Sequence, residues 1–307
     1  VLSEKCGFYI GPMINSKGRL EHPEKALELL IAEDSDRAFL CYNQLDISNR
    51  ERKMIQASVF ELAREQIVRD LTDDDPVASV AYSPDWHEGV IGIVASKLVD
   101  TFKVPAIVFT KSNEEGLLKG SARSAGELNI FEILQKLSHF FVRFGGHKAA
   151  AGVSLKLENL SAFTLEFKKM LRTLPSMLRT DNDTFDLEIK AHEIGPKLAR
   201  DLEMLEPFGN GNERPTFRVR DLQLESYELM RDVHVRWNLV SKSDPNHRLK
   251  GVSFNYIGKW QAIHPEEIFK TCVTRPHSTP VIDFELGINR WKGKEFVQLQ
   301  IKKIQMS

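Results

Sequence analysis

Two short stretches of the sequence contain residues that could hold a phosphate group. In the first, KGSARS (119–124), Ser121 and Arg123 stand two residues apart. On a β-strand they would lie on the same face. A hydroxyl beside a guanidinium makes a phosphate clamp, because arginine donates two parallel hydrogen bonds to an oxyanion. Ser124 is a further candidate on the opposite face. The alternative is an ordinary surface arginine next to a serine.

The second stretch, FGGHKAAAG (144–152), consists mostly of glycine and alanine on both sides of a histidine. Consecutive glycines, here Gly145 and Gly146, can turn their N–H groups toward one point and form an anion nest. His147 beside such a nest could donate a hydrogen bond to phosphate or carry a proton near neutral pH. Lys148 would add positive charge. The residues equally fit a helix end followed by a histidine in the core.

Two further stretches carry weaker signals. DWHEGVIG (85–92) places Trp86 and His87 at the start of a helix, where the positive end of the helix dipole favours an anion. The alternative is that the tryptophan fills the core and the histidine caps the helix. NSKGRL (15–20) places Arg19 beside a glycine, where an ordinary solvated charge is the alternative.

The hydrophobic pattern predicts the elements that would carry these residues. Residues 1–20 mix glycine, proline and polar residues, which indicates an extended connector. Residues 34–71 contain neither glycine nor proline and predict one long helix. Strands and helices then alternate, which is typical of an α/β domain with a central sheet. The predicted strands are 77–82, 105–110, 117–124 and 151–155, and the predicted helices are 87–102, 129–144 and 158–174.

From Pro215 onward the pattern consists mostly of strands. About five strands in some 90 residues are typical of a small all-β barrel such as an OB-fold. NRWKGK (289–294) predicts a hairpin turn, with Gly293 at the position that needs a positive φ. Residues 206–307 hold 16 Lys+Arg against 12 Asp+Glu. This local excess supports a groove that follows a nucleic-acid backbone.

The strand-rich region has its own candidates for DNA contact. They are His234, Arg236, Lys250, Trp291 and Lys292. Because Val235, Trp237 and Leu239 share one strand face, Trp237 is predicted to pack in the core and not to stack on a base. For Trp291, in the predicted hairpin turn, stacking on a base and a structural role remain alternatives.

Composition and missing motifs exclude several classes of protein. The net charge is −1, so any site for a polyanion depends on the local placement of basic residues. The three cysteines are far apart without metal-binding spacing, which predicts a reducing, cytoplasmic environment. No apolar run approaches a membrane span, and no signal peptide is visible. No metal-binding or nucleophile motif is visible either. The sequence is therefore predicted to hold a phosphate polymer and not to cut it unaided. It opens at Val1 in the middle of a pattern, so we expect that an N-terminal part is missing.

Five motifs in this order resemble the RecJ family, the single-strand-specific 5′→3′ DNA exonucleases of bacteria within the DHH phosphoesterase superfamily. They are GPMINSKGRLEHPEKALELL (11–30), WHEGVIGIVASKL (86–98), KGSARS (119–124), FGGHKAAAGVSL (144–155) and LEPFGNGNERPTF (205–217). NRWKGKEFVQLQIKKI (289–304) is similar to the end of that family's OB domain. The resemblance covers essentially the whole chain.

The resemblance implies an architecture of five parts. They are the end of a DHH domain with a connector (1–33), a long interdomain helix (34–72), a DHH-associated α/β domain (73–178), a linker (179–214) and an OB-fold domain (215–307). The resemblance also implies manganese or magnesium ions bound by the DHH domain, whose metal ligands are missing from this sequence.

The resemblance also implies roles for the candidate residues. Ser121 and Arg123 would contact the 5′-terminal phosphate of the DNA. Residues 145–147 would contact the backbone near the scissile phosphate. Arg19 would reach into the cleft from the connector, and Arg19 and His147 would support catalysis. The OB-fold would guide the incoming single strand by charge and stacking.

The function implied is the nucleic-acid-binding part of a nuclease of DNA repair and recombination. Its partner would be single-stranded DNA, with a single-strand-binding protein and a helicase as further partners and no membrane. This chain alone is expected to bind DNA without cleaving it. One alternative is a different DHH phosphodiesterase that acts on short oligonucleotides or cyclic dinucleotides. Another is a non-catalytic replication scaffold.

Overall fold

A computed structural model of the chain describes residues 6–20, 23–70, 76–179, 185–209, 211–257, 263–274, 279–291 and 293–306. The chain divides into two compact units, the first over residues 5–182 and the second over residues 183–307. Among the described residues, no helix has both the length and the apolar character needed to cross a membrane.

The first unit begins with helices that pack together. A π-helical turn, Cys6–Ile10, leads into α1 (Gly11–Leu20), α2 (Glu24–Leu30) and α3 (Ser35–Arg69). The prediction of one long helix is confirmed by α3. The side chain of Asp34 caps its start by accepting a hydrogen bond of 2.7 Å from the backbone N–H of Arg37.

The predicted extended connector over residues 1–20 is wrong for its described part. Gly11 and Pro12 stand in the first turn of α1, where a proline costs little because its missing N–H would have no partner within the helix. The Ser16 side chain is buried, donates a hydrogen bond of 2.6 Å to the Met13 carbonyl of its own helix, and lies 3.3 Å from the carbonyl of Leu45 in α3. Packing against the long helix therefore outweighs the local signal of glycine and proline.

A five-stranded mixed sheet follows in the first unit. Its elements are β1 (Ser79–Tyr82), α4 (Glu88–Phe102), β2 (Ala106–Lys111), β3 (Leu117–Arg123), α5 (Ile130–Lys136), β4 (Phe141–His147), β5 (Ala150–Lys156), α6 (Leu160–Arg172) and α7 (Ser176–Arg179). The strand order is β1-β2-β3-β5-β4. Only the β1–β2 pair is parallel among these, and α4 is its crossover helix.

The two faces of this sheet are covered differently. On one face, α5 and α6 contribute Ile130, Leu134, Phe163 and Phe167 to an apolar core with the strands. On the other face, α4 packs against β2 and β3. The alternation of strands and helices therefore builds the predicted α/β domain.

The prediction of a helix over residues 129–144 is correct only for its first half. The helix α5 ends at Lys136, a 3₁₀ turn covers Ser138–Phe140, and β4 begins at Phe141. Apolar residues at 140, 141, 142 and 144 fit a helix and a strand equally well by periodicity. Aromatic and β-branched residues pack well on a pleated surface, and pairing with β5 decides in favour of the strand.

The second unit is a seven-stranded sheet with two helices. Its elements are β6 (Leu187–Glu188), α8 (Pro196–Glu203), β7 (Thr216–Val219), β8 (Leu222–Met230), β9 (His234–Ser241), β10 (Arg248–Ser253), α9 (Pro265–Thr274), β11 (Pro280–Trp291) and β12 (Lys294–Met306). The strand order is β6-β7-β11-β12-β10-β9-β8. Gly293 adopts φ 74° in the β11–β12 turn, as predicted for that hairpin.

The predicted linker 179–214 differs from what the structure describes. Its described residues include a short strand and a helix that belong to the second unit. Ile189, Ala191, Ile194 and Leu202 are buried in the core of that unit. Burial of these apolar side chains therefore attaches this segment to the sheet.

Trp237 lies at the centre of the second core, as predicted. Its ring is fully buried, and its indole N–H donates a hydrogen bond of 2.9 Å to the Ser253 hydroxyl. A largely buried ion pair joins β7 to β11. Arg218 donates two hydrogen bonds, of 2.6 and 2.7 Å, to the carboxylate of Asp283.

Candidate nucleic-acid interface

The register of three strands brings most of the predicted phosphate-binding residues onto one surface. Along β3, Ser121 pairs with Gly152 of β5, which pairs in turn with Gly145 of β4. The neighbouring row joins Arg123 through Ala150 to His147, and the row on the other side joins Lys119 through Ser154 to Arg143. We call the outward side of these nine residues the open face.

The open face is shallow because its middle row has almost no side chains. A Cβ added at Gly145 or Gly152 would meet no atom within 4 Å. A cavity of about 210 Å³ lies there, lined among others by Lys119, Arg143 and Ser154. A ligand could therefore approach the backbone of β4 and β5 closely.

Helix α4 forms the wall beside β3. A Cβ on its Gly92 would lie only 2.9 Å from a terminal nitrogen of Arg123 and 3.0 Å from the Ser121 hydroxyl. This glycine therefore makes room for both side chains. Gly89 serves another contact, because a Cβ there would overlap the backbone carbonyl of Arg19 at the end of α1.

Ser121 and Arg123 share one face of β3, as the spacing predicted. Arg123 donates hydrogen bonds of 2.8 Å to the Ser121 hydroxyl and of 2.8 Å to the Ala122 carbonyl. Burial lowers the pKa of Arg123, and the charge of nearby Arg19 lowers it further. Both contacted oxygens are neutral, and arginine keeps its charge in proteins. The pair can therefore offer a positive charge and a hydroxyl to an anion.

The predicted anion nest at residues 145–147 is wrong. These residues are extended and paired with β5, and N–H groups alternate in direction along a strand. A Cβ at Gly146 would overlap the carbonyl oxygen of Ala150, so close approach of the neighbouring strand explains that glycine. The His147 ring is exposed, and its Nδ1 accepts a hydrogen bond of 3.3 Å from the Ala149 N–H. Nε2 is then the nitrogen that carries the proton and can donate to a ligand.

Two candidates next to the open face have structural partners. Lys148 forms an ion pair of 2.7 Å with Glu127. The Ser124 hydroxyl donates a hydrogen bond of 2.6 Å to the Leu128 carbonyl. The first contact joins the β4–β5 turn to the loop between β3 and α5, and the second closes that loop on itself. The structure therefore gives these residues a supporting role and not a place on the open face.

The two candidates before α4 are also explained by structure. Trp86 is 7 % exposed, so its ring packs in the core and cannot stack on a base. His87 is the N-cap of α4, where its Nδ1 accepts a hydrogen bond of 3.1 Å from the Gly89 N–H. The structure therefore supports the structural alternative for both residues, in which Trp86 fills the core and His87 caps the helix.

The candidates of the second unit are spread over its surface. His234 accepts a hydrogen bond of 2.9 Å from the Asn255 N–H and packs edge-on against the exposed ring of Phe254. Arg236 forms an ion pair of 2.7 Å with Glu228, and Lys250 is exposed. The Trp291 side chain and Lys292 lie outside the described residues.

Sequence reasoning missed a cleft of about 620 Å³ in the second unit. Its lining includes Phe254, Gly287, Asn289, Gln298 and Gln300, together with two arginines that are paired with glutamates. The pairs are Arg214 with Glu206 at 3.2 Å and Arg290 with Glu203 at 2.8 Å. Glu285 also lines the cleft and forms an ion pair of 2.6 Å with Lys302. Each charged side chain in the lining therefore has a partner of opposite charge. Its lining comes from segments almost 100 residues apart in the sequence, so no local motif announces it.

The described residues do not fit a catalytic metal site. Within the ranges that the structure describes, no group of three or more His, Cys, Asp or Glu residues could hold a metal ion. Manganese and magnesium in hydrolytic sites take mainly carboxylate and other oxygen ligands. We therefore derive no hydrolytic step from this chain.

Family comparisons agree with this arrangement of domains. The DHHA1 domain model matches residues 74–173, and the RecJ OB domain model matches residues 185–303. These matches define the class of protein, a DHHA1 domain followed by an OB domain. The DHHA1 match covers the five-stranded sheet, and the OB match covers the seven-stranded sheet.

Individual relatives name the family. Single-stranded-DNA-specific exonuclease RecJ of Bacillus subtilis is 32 % identical over 311 residues, which cover 99 % of this chain and 37 % of that protein. The Haemophilus influenzae protein of the same name is 28 % identical over 316 residues, covering 99 % of this chain and 52 % of its own length. The chain belongs to the RecJ family. It spans about half, or less, of the length of these curated relatives.

A solved structure shares the fold. The crystal structure of RecJ in complex with Mg²⁺ from Thermus thermophilus matches with a TM-score of 0.77 at 24 % identity. The match covers 99 % of this chain and 44 % of that one. The predicted fold, an α/β domain and an OB domain preceded by a long helix, is therefore confirmed.

Proposed function

We propose that this chain is the DNA-binding part of a 5′→3′ single-stranded-DNA exonuclease, and that the open face holds the 5′ end of the strand. The observation that carries this proposal is the union of Ser121, Arg123, Gly145 and His147 on one accessible surface. The curated relatives are named as single-stranded-DNA-specific exonucleases. The presence of an OB unit favours this function over that of a phosphodiesterase for cyclic dinucleotides.

The open face can bind two successive parts of a sugar-phosphate chain. Ser121 and Arg123 would bind the 5′-terminal phosphate by a hydroxyl and a guanidinium. His147 lies two strands away, roughly 10 Å across the sheet, and its Nε2–H can donate to a backbone phosphate. Between them, the bare row at Gly145 and Gly152 leaves room for the nucleotide. Arg19 would add charge at the edge of this surface.

In this function the chain binds and orients the strand, and hydrolysis to nucleoside 5′-monophosphates needs further residues that hold manganese or magnesium. The second unit would bind the incoming strand through its exposed charges and aromatic rings. Such an enzyme would act in the cytoplasm in DNA repair and recombination, where a single-strand-binding protein and a helicase supply its substrate.

Arg123→Ala tests the role of the clamp. Binding of a 5′-phosphorylated oligonucleotide should weaken about tenfold or more, since a hydrogen bond to a charged group contributes about 1.5–3 kcal/mol. Binding of the same oligonucleotide with a 5′-hydroxyl should change little. The matched control is Arg64→Ala, which removes a half-buried arginine of α3 that is paired with Glu61. Equal loss for both oligonucleotides would contradict the assignment.

A second measurement tests the division between binding and cleavage. The 307-residue chain should bind single-stranded DNA and leave it intact when manganese or magnesium is added. Metal-dependent release of mononucleotides by a clean preparation would overturn this part of the proposal.

A further inference from the structure

One row of the open face carries two cations and a hydroxyl. Lys119 of β3 is paired in register with Ser154 of β5, which is paired in turn with Arg143 of β4. We call these three residues the third row. All of them line the cavity of about 210 Å³ on the open face. The third row lies on the same face of the sheet as the clamp, but binding of the 5′-terminal phosphate by the clamp gives it no role.

The third row lies within reach of a strand that is held by the clamp. Lys119 and Ser121 are two residues apart on β3, so their Cα atoms are roughly 7 Å apart. One strand separates Lys119 from Arg143, so their Cα atoms are roughly 10 Å apart across the sheet. The half-buried Ser154 lies between them. Its hydroxyl has no hydrogen-bond partner within the described part of the chain, so it is available to a ligand.

Both cations have acidic partners outside the row. Lys119 pairs with Glu88 in the first turn of α4, and Arg143 pairs with Glu114 in the turn between β2 and β3. The four side chains are 43–65 % exposed. Ion pairs between exposed side chains contribute little, because water solvates both groups when the pair is broken. A phosphate can therefore replace the two carboxylates at small cost.

The second unit shows what a firmer pair looks like. There, Arg290 donates hydrogen bonds of 2.8 and 3.0 Å to Glu203 and another of 3.0 Å to Glu295. Two parallel bonds to one carboxylate are stronger and more specific than a single contact. Lys119 and Arg143 each make one hydrogen bond to a carboxylate among the described residues. The cations of the third row are therefore easier for a ligand anion to bind.

We propose that the third row binds an internal phosphodiester of the DNA strand, in addition to the 5′-terminal phosphate that the clamp binds. This inference rests on the proposed function of the open face. A phosphodiester has two non-bridging oxygens, which can accept hydrogen bonds from Lys119 on one side and Arg143 on the other. Ser154 can donate a further hydrogen bond from the middle of the row. Binding thus exchanges two exposed ion pairs, with Glu88 and Glu114, for contacts to one phosphate.

A purely structural role for the two ion pairs makes a different prediction. In that case the pairs attach the start of α4 and the β2–β3 turn to the sheet, and removal of either partner breaks the same contact. Loss of the cation and loss of the acid then have the same effect. If the third row binds DNA, the two losses have opposite effects on affinity, because the cation attracts the phosphate and the acid competes with it.

The experiment measures binding of a 5′-phosphorylated single-stranded oligonucleotide to the 307-residue chain by fluorescence anisotropy, at neutral pH and constant ionic strength. Arg143→Gln should weaken binding about fivefold, the upper range for an exposed charge pair. Glu114→Gln should strengthen binding about threefold, because it frees the arginine. Lys119→Gln and Glu88→Gln should show the same opposition. The unfolding midpoint of each variant checks that it is folded.

The matched control is an exposed ion pair on the other side of the sheet. Lys169 and Glu166 form this pair on α6, which packs against the opposite face. Lys169→Gln and Glu166→Gln change the net charge of the chain in the same way as the third-row variants. Neither should change the affinity measurably. Opposite effects confined to the third row therefore report a local contact and not the summed charge.

An uncharged linkage identifies the phosphate that the third row binds. One phosphodiester at a time is replaced by a methylphosphonate, beginning at the 5′ end. At least one internal replacement should weaken binding to the wild type and have little effect on binding to Arg143→Gln, because that contact is already lost in the variant.

The outcomes separate the third row from the clamp. Changes of affinity in the same direction for Arg143→Gln and Glu114→Gln would leave the third row only a structural role. The same holds if every internal methylphosphonate weakens binding to Arg143→Gln as much as to the wild type. Failure of the clamp is seen separately, since the wild type would then not distinguish a 5′-phosphate from a 5′-hydroxyl. If Arg143→Gln does not fold, Lys119→Gln and Glu88→Gln decide by the same criterion.

Discussion

Two glycines of the first sheet, Gly145 on β4 and Gly120 on β3, have opposite surroundings, and this contrast tests the open face. A Cβ at Gly145 meets no atom within 4 Å, whereas one at Gly120 would overlap the buried ring of Phe109. Gly145→Val should therefore fold with an unchanged unfolding midpoint and bind single-stranded DNA several-fold more weakly, because its side chain fills the bare row. Both quantities can be measured on one preparation by thermal unfolding and fluorescence anisotropy.

The matched control for that variant is Gly120→Ala. It forces a methyl group into the core and should lower the free energy of unfolding by about 1–3 kcal/mol, with DNA binding unaffected while the protein is folded. If Gly145→Val bound DNA as tightly as the wild type, the strand would not cross the bare row, and the open face would lose its role.

At the scale of single residues, sequence reasoning predicted the contact between Ser121 and Arg123. It missed Arg52, a buried arginine of α3 that donates hydrogen bonds to Asn49 and Gln56. The i, i+2 spacing of Ser121 and Arg123 fixes a shared face on any strand, so the contact between them could be predicted. The signal for Arg52 was weaker, since Asn49, Arg52 and Gln56 follow helical spacing on the stripe that Leu45 and Val59 occupy. Only tertiary packing reveals that this stripe is buried over its polar part as well.

At the scale of elements, an ion pair joins β7 to β11 in the second unit. The carboxylate of Asp283 is 3 % exposed and binds Arg218 through both of its oxygens. Asp283→Ala leaves a largely buried guanidinium without its partner and should lower the free energy of unfolding by about 3–5 kcal/mol. Chemical denaturation measures this change directly.

An exposed pair provides the comparison. Glu225 pairs with Arg248 at 3.2 Å, and their side chains are 44 % and 61 % exposed. Glu225→Ala should cost less than about 1 kcal/mol, because exposed pairs gain little over their interaction with water. Similar losses in the two variants would mean that burial does not set the strength of the Arg218–Asp283 pair.

A second pair attaches α8 to β11 and depends on pH. The hydrogen bonds from Arg290 lower the pKa of the Glu203 carboxyl below the value of 4.5 usual for glutamate. A carboxyl with a lowered folded-state pKa stabilises the fold above its unfolded pKa, and this contribution disappears as the pH falls through the folded pKa. Glu203→Gln should therefore lower the unfolding midpoint at pH 7, and its difference from the wild type should shrink below about pH 4.5. A difference that stays constant down to pH 3 would contradict this account.

Most elements could be predicted because their signals are local. The long helix α3 follows from a run without glycine or proline, and β1 to β3 follow from short apolar runs between turns. The second half of helix 129–144 could not be predicted, since its strand exists through pairing with β5. Helix α1 was missed for a similar reason, because Ser16 and its neighbours are held by packing against α3.

At the scale of the whole molecule, the net charge of −1 means that long-range attraction does not bring DNA to the protein. Affinity must come from local groups such as Arg123, whose contacts among the described residues are to neutral oxygens. The cleft of the second unit is less suited to bind DNA by charge, because its two arginines are already paired with glutamates. Positive charge without an acidic partner thus lies at a few positions, which the composition of the chain does not reveal.

This distribution of charge predicts how DNA binding depends on salt. The logarithm of the binding constant falls linearly with the logarithm of the salt concentration, by about 0.7 for each phosphate of a single strand that is neutralised. Arg123→Gln should reduce this slope by about 0.7, because it removes one phosphate contact. Arg64→Gln should leave the slope unchanged, since Arg64 is paired with Glu61 and is not part of the open face. Titrations between 50 and 300 mM salt, roughly the range in which such slopes are measured, decide the point. If both variants changed the slope equally, the DNA would respond to the summed charge of the molecule, and the open face would not be its binding site.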